Sequence, residues 1–177
     1  LKNQIPACAC DSNATHVLQK CLRFMPCDKV MFIAHALART NIMSLAKHQY
    51  GCHLLQRCIA TCSEVRHDSR CSIGTMEFIR MIDDISIKLV EEFEELAFNR
   101  HGNFVLQYVL QHGSEEQRAA ACTYVRTNVV RYSMHKFASH LVEQCLKNAP
   151  SQEKHMLIEN ILRESVTVES AMGAKPA

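Results

Sequence analysis

The 177 residues leave room for one continuous core or one short repeat array, being near the ~150 residues of a typical domain. Apolar residues at 47% and charged residues at 21% exclude a disordered chain, and a net charge of +2 is not the footprint of a binder relying on bulk positive charge. Five glycines, four prolines and 6% aromatics argue against an all-β domain, and the longest uncharged run, His101 to Ser114, is polar throughout and shorter than the ~18 residues a membrane span needs.

In chain order, the first patterned segment is Ser12 to Leu22, where Val17, Leu18, Cys21 and Leu22 form one stripe of a 3.6-residue period. Val30, Ile33, Ala34 and Leu37 predict a second helix after it. The short apolar stretch Ile42 to Ala46 precedes Gln49 to Ile59, whose stripe is Leu54, Leu55, Cys58 and Ile59. Cys62 to Thr75 is polar and reads as a surface loop. Glu91, Glu92, Glu94 and Glu95 share a predicted helix with Leu89, Val90, Phe93 and Leu96, and form a solvated face expected to lie away from any phosphate-binding groove. Arg100 to Leu110 carries Val105, Leu106, Val109 and Leu110, and Ser114-Glu-Glu-Gln117 reads as a capping box opening another helix. Val129 to Ser133 is a further short stretch, and Lys136 to Leu146 repeats the stripe as Leu141, Val142, Cys145 and Leu146. Leu157, Ile158, Ile161 and Leu162 form the last stripe, and the tail from Val166 to Ala177 is expected to fray.

The four patterned segments are copies of one another. With Gln19, Gln56, Gln107 and Glu143 as markers, the steps are 37, 51 and 36 residues, so the middle step carries an insertion of about 15. Thr40-Asn41 lies eight residues before His48, and Thr127-Asn128 lies eight before His135. The unit is a short helix, a patterned helix and a third helix. One unit cannot bury its own apolar face but stacked units can, which defines an all-α solenoid. The expected units are 1–38, 39–83 with the loop insertion, 84–126 and 127–165, followed by the tail 166–177.

Ten cysteines raise the question of a metal site. No Cys-x-x-Cys pair occurs, and Cys58, Cys62, His67 and Cys71 are the nearest approach to a ligand cluster. Cysteines on apolar helix faces are better read as small hydrophobes. No secretory signal precedes them, so thiols, a reducing compartment and a cytoplasmic location are expected. The chain starts on Leu1 rather than Met, which makes it read as a piece of a longer one.

The apolar stripe of each patterned helix faces the core, and the other side is expected to carry a polar pair at i and i+4. The pairs are Thr15 with Gln19, Cys52 with Gln56, Asn103 with Gln107, and Ser139 with Glu143. A flat side chain follows the first member each time: His16, His53, Phe104 and His140. One such pair is ordinarily a solvated surface; four in register form a ladder of edge-readers and flat rings. That arrangement suits single-stranded RNA, whose splayed bases stack on rings and expose their pairing edges.

The segments Tyr50-Gly-Cys-His-Leu-Leu-Gln-Arg57, His101-Gly-Asn-Phe-Val-Leu-Gln107 and His135-Lys-Phe-Ala-Ser-His-Leu-Val-Glu143 resemble successive repeats of the Pumilio (PUF) family of RNA-binding proteins, and Asn13 to Lys20 resembles the repeat before them. The resemblance covers roughly residues 5 to 165 and places the units as the fourth to seventh of the usual eight. It implies a right-handed α-solenoid of three-helix repeats, a curved crescent present here as a partial array, that reads about one base per repeat. By the family's reading code, Ser139 with Glu143 matches the guanine-reading pair, Asn103 with Gln107 the uracil pair, and Cys52 with Gln56 the adenine pair. His53, Phe104 and His140 match the stacking positions. Thr15 stands where Asn usually precedes His16, and Ala14 replaces the usual Gly; the fourth base is assigned as uracil. The resemblance implies that the RNA runs antiparallel to the repeats, giving 5′-G-U-A-U within a UGUA-type element whose leading U would be read by a unit outside this chain.

The resemblance also implies binding to mRNA 3′ untranslated regions, translational repression, and recruitment of deadenylase or translational-repressor proteins. A monomer is expected, with no cofactor, no metal and no membrane partner. The rival readings are a protein-binding α-solenoid adapter and a nucleic-acid binder without base selectivity. Catalysis is the least favoured reading. Cys52 with His48 or His53 mimics a nucleophile and base, but the repeat register accounts for both, and no phosphate loop or zinc-hydrolase motif occurs.

Overall fold

The computed structural model describes residues 4–66, 72–149 and 151–173, with side chains to 163. Its described residues form α-helices joined by turns, without a strand. The helices fall into four triplets. They are α1 (Ile5–Ala9), α2 (Ala14–Phe24) and α3 (Cys27–Ala38), then α4 (Ile42–Ala46), α5 (Gly51–Arg66) and α6 (Ile73–Glu91). The third is α7 (Phe93–Ala97), α8 (Gly102–His112) and α9 (Glu115–Thr127), and the fourth is α10 (Val129–Ser133), α11 (Ser139–Asn148) and α12 (Ser151–Gly173). The second member of each triplet packs on the second member of the next, making an inner row α2, α5, α8, α11. The third members make an outer row α3, α6, α9, α12. One apolar core runs between the rows from Ile5 to Leu157, so the repeats share a single hydrophobic interior.

Local chemistry sets the boundaries. Met25 precedes Pro26 and is extended, as a residue before proline prefers, and this ends α2. Asn41 and Ser72 cap α4 and α6 by accepting from the N–H of Ser44 and Thr75 at 3.0 and 3.2 Å. The capping box forms on α9: Gln117 N–H donates to Ser114 Oγ at 3.3 Å and Ser114 N–H to Gln117 Oε1 at 3.0 Å.

The structure corrects several sequence expectations. The expected boundary at 83/84 falls inside α6, and the second triplet ends at Glu91. Residues 62–66, assigned to a loop, continue α5, with Cys62 buried and Arg66 paired to Asp83 at 2.7 Å; 73–75 open α6, and the remainder of that expected loop, 67–71, lies outside the described residues. The acidic run is not one helix, because the chain turns at Glu92 between α6 and α7. Nor is it merely solvated: Glu94 pairs with Arg131 of α10, and Glu95 with Lys47 at the end of α4 at 2.5 Å, tying consecutive short helices together. The expected frayed tail is helical to Gly173, and 174–177 lie outside the described residues.

Two stripe assignments fail at the ends of the stack. Val17 is 63% exposed although its counterparts Leu54, Val105 and Leu141 are fully buried, because among the described residues no inner helix packs on that side of α2. Ile158 and Leu162 of α12 are likewise exposed, while Leu157 is buried.

Candidate nucleic-acid interface

The inner helices start alike. Four residues before each first edge member stands an acceptor side chain that takes two backbone N–H groups of the helix's first turn. Asp11 Oδ1 accepts from Asn13 and Ala14 at 2.9 and 2.8 Å, and Asn99 Oδ1 from His101 and Gly102 at 2.9 Å each. His48 Nδ1 accepts from Tyr50 and Gly51 at 3.2 and 3.3 Å, and His135 Nδ1 from Phe137 and Ala138 at 3.3 Å each. These N–H groups are otherwise orphans, and the two bonds hold the Asp11 carboxyl below the ordinary carboxylate range. Sequence reasoning noted His48 and His135 only as echoes; the constant spacing to Thr15, Cys52, Asn103 and Ser139 was the available signal. His135→Asn is expected to leave stability nearly unchanged, since Asn99 does the same work in the third repeat. His135→Leu should cost about 1 kcal/mol, the usual worth of such a cap. Urea unfolding of both variants checks this, and equal midpoints would remove the capping role.

Thr61 Oγ1 of α5 donates to Leu22 O of α2 at 3.4 Å, placing the two helices in parallel register. His101 at the start of α8 is held below the ordinary histidine range, first by desolvation and then by Arg100, His53 and His48. His53 and His48, from the second repeat, are thus close enough to be felt.

The structure brings the predicted site residues together along the inner row, with one correction. The first edge members do not lie opposite the core. Thr15, Cys52 and Asn103 are buried, and Ser139 is half-buried. The second members emerge progressively: Gln56 is 8% exposed, Gln19 and Gln107 are half-buried, and Glu143 is exposed. The rings project outward, with His16, His53 and His140 exposed and Phe104 at 45%.

Burial gives the first members an orienting role. Gln19 Nε2 donates to Thr15 Oγ1 at 3.4 Å, and Gln107 Nε2 to Asn103 Oδ1 at 2.9 Å. Asn103 Nδ2 is spent on Asn99 O and Arg100 O at 2.9 and 3.0 Å. Gln107 therefore keeps its oxygen and one N–H for a partner. Cys52 offers no such anchor, since its Sγ donates to Gln49 O at 3.5 Å. Gln56 Nε2 is consequently buried with no protein partner among the described residues, a deficit of the kind that a bound group makes good. Glu143 Oε1 lies 3.7 Å from His140 Nδ1 and Oε2 3.6 Å from Lys147 Nζ. These contacts are exposed and weak enough to be displaced.

Among the described cysteines Cys27, Cys52, Cys58, Cys62, Cys122 and Cys145 are buried, whereas Cys8 and Cys21 are half-buried and Cys10 is exposed. Burial pushes the Cys52 thiol up to about 11 and Cys62 up to about 12, the reverse of an activated nucleophile. Cys58 and Cys62 are buried on one helix, while His67 and Cys71 of the weighed ligand set lie outside the described residues. No described helix is long and apolar enough to cross a membrane.

A helical-repeat binding protein with one registered polar pair and one ring per repeat is the class this geometry defines. The description "Pumilio-family RNA binding repeat" fits residues 4–38, 41–67, 92–122 and 128–162 as successive matches to that family's model, and the chain belongs to that family. The matched repeats are of an RNA-binding kind rather than an enzyme's. The chain is 30% identical over 151 residues to putative pumilio homolog 8, chloroplastic, of Arabidopsis thaliana, covering 85% of this chain and 26% of that protein. It is 29% identical over 151 residues to Pumilio homology domain family member 4 of Saccharomyces cerevisiae, covering 83% and 15%. The chain thus spans about a quarter or less of these relatives' length. Among solved structures it resembles PUF-8 in complex with PBE-RNA, with a TM-score of 0.76 at 29% identity, covering 90% of this chain and 42% of that one. It also resembles the Puf3 RNA binding domain bound to a Cox17 RNA 3′ UTR recognition sequence, with a TM-score of 0.70 at 30% identity, covering 90% and 43%.

Proposed function

We propose that this chain binds single-stranded RNA by reading one base per repeat, in the order 5′-G-U-A-U from the fourth repeat to the first. The observation that carries this reading is the register itself: an edge pair and a ring recur on every inner helix, and only the fourth pair has a carboxylate. Glu143 is acceptor-only when ionised, and guanine's pairing edge presents two adjacent donors. Gln107 keeps both an acceptor and a donor for uracil, and Gln56 has an unpartnered donor for adenine. His16, His53, Phe104 and His140 supply stacking planes, worth ~1–3 kcal/mol per base.

The finer assignments belong to the same proposal: a UGUA-type element in mRNA 3′ untranslated regions, and cytoplasmic repression through deadenylase or repressor proteins. The family's code supports the element, and the relative bound to a Cox17 RNA 3′ UTR recognition sequence supports the untranslated region as its setting.

Fluorescence anisotropy at one fixed salt concentration tests the reading, comparing short RNAs with U-G-U-A-U and U-A-U-A-U cores. Wild type is expected to prefer the guanine core about tenfold, or ~1.4 kcal/mol, and Glu143→Gln to lose that preference without changing selectivity at the other positions. Equal binding of both RNAs by both proteins would leave a non-selective solenoid. Absence of binding even with the flanking repeats restored would favour the protein-adapter reading.

A further inference from the structure

We propose that Cys122 and Cys145 form an oxidisable dithiol, a modification site at which a peroxide closes a reversible disulfide between the third and fourth repeats. Cys122 lies on α9 and Cys145 on α11, and their sulfurs are 3.5 Å apart. A disulfide needs about 2.05 Å, so closing the bond takes a further approach of about 1.5 Å from sulfurs already in contact. Both cysteines are free thiols.

Burial does not seal the pair. Cys122 is 7% and Cys145 2% exposed, yet both line a cavity of about 260 Å³ between the two repeats. Glu115 and Asn148 on its lining are exposed, so the cavity reaches solvent, and Arg118 also lines it. The two thiols are not equivalent. The Cys122 thiol is held below the ordinary range, first by its hydrogen bond with Cys145 and also by the Arg118 guanidinium, against the opposing effect of burial. That same hydrogen bond and burial push Cys145 up. Cys122, the more exposed of the two and on the same helix as Arg118, is the sulfur that meets the oxidant, and Cys145 the partner that resolves it.

The chemistry balances. The Cys122 thiolate attacks a peroxide oxygen; an S–O bond forms, the O–O bond breaks, and hydroxide leaves. Cys145 gives its proton to that hydroxide, and its sulfur attacks the Cys122 sulfenic sulfur. The S–S bond forms, the S–O bond breaks, and the second oxygen leaves as water once protonated. Two thiols and one hydrogen peroxide yield one disulfide and two waters: the sulfurs lose two electrons and the peroxide gains them. In a reducing compartment the bond would be transient. It would tie α11, which carries Ser139, His140 and Glu143, to the preceding repeat.

The test is peptide mapping of the folded chain, reduced, freed of reductant, exposed to hydrogen peroxide and quenched with an alkylating agent. Tryptic cleavage isolates Cys122 in residues 119–126 and Cys145 in residues 137–147, each with a single cysteine. The expected product is these two peptides joined and lighter by two hydrogens, separated again by dithiothreitol. Cys145→Ser should instead accumulate a dimedone-reactive sulfenic acid at Cys122, and Cys122→Ser should form no bond to Cys145. Recovery of both peptides singly alkylated from peroxide-treated wild type, with its far-UV circular dichroism unchanged, would overturn the proposal. So would joining of Cys122 and Cys145 only after denaturation.

Discussion

Replacing Phe93 by alanine is expected to lower the stability of the array by about 3–5 kcal/mol, the usual cost of emptying a large aromatic site in a core. Phe93 opens α7 and is fully buried. Its ring stacks on Tyr124 of α9 at 5.2 Å and 5°, and on Tyr132 of α10 at 6.2 Å and 18°. Tyr132 meets Phe98 edge-on at 5.5 Å, and Phe98 meets His135 edge-on at 4.6 Å. One ring thus joins the short helix of the third repeat to the outer helix behind it and to the next repeat's entry. In a repeat array stability is close to a sum of unit and neighbour terms, so the loss should concentrate at the third–fourth boundary. Urea unfolding with site-resolved hydrogen exchange checks this: amides of α10 and α11 should lose more protection than those of α2. A uniform loss, or one below about 1 kcal/mol, would mean that the neighbouring rings collapse into the space.

Gly51→Ala is the second large effect, with an expected cost of about 3 kcal/mol, at the upper end for overpacking. A Cβ built on Gly51 would stand 2.7 Å from the backbone oxygen of Leu45, and closer still to that leucine's Cδ1. The side chain could move, but the carbonyl belongs to α4 and cannot move without sliding the short helix along α5. Gly102 has the same relation to Leu96, with the carbonyl at 3.0 Å, so its alanine variant should cost less. The fourth repeat already holds Ala138 at this position, fully buried, with Tyr132 rather than leucine six residues earlier. Glycine is therefore needed only where the short helix crosses closest. Thermal unfolding of both variants checks the ranking. A Gly51→Ala protein as stable as wild type would mean that α4 shifts freely.

The inner and outer helices were legible because a 3.6-residue apolar stripe is a property of one segment, visible without its neighbours. The segment after Cys62 was not. Ser63, Glu64 and Arg66 look like loop composition, yet α5 continues through them because Arg66 meets Asp83 at 2.7 Å, and Asp83 also accepts from Gln117 at 2.9 Å. That partner lies 17 residues further along the chain, and nothing near Arg66 announces it. The four-residue spacing from Asp11, His48, Asn99 and His135 to the edge members was legible but overlooked, since three different residue types do one job.

The sequence by itself determined the period and the register of the pair and ring positions on the inner helices, because repetition compares a chain only with itself. The tertiary structure alone decided how far each of them emerges. Gln56 and Gln107 occupy the same place in the pattern, yet one is buried with an unpartnered donor and the other is half-buried and anchored to Asn103. Val17 and Leu54 also share one place, yet only Leu54 is covered. Burial belongs to pairs of helices, and a periodic pattern belongs to one; which faces are sealed follows from what stands next to them.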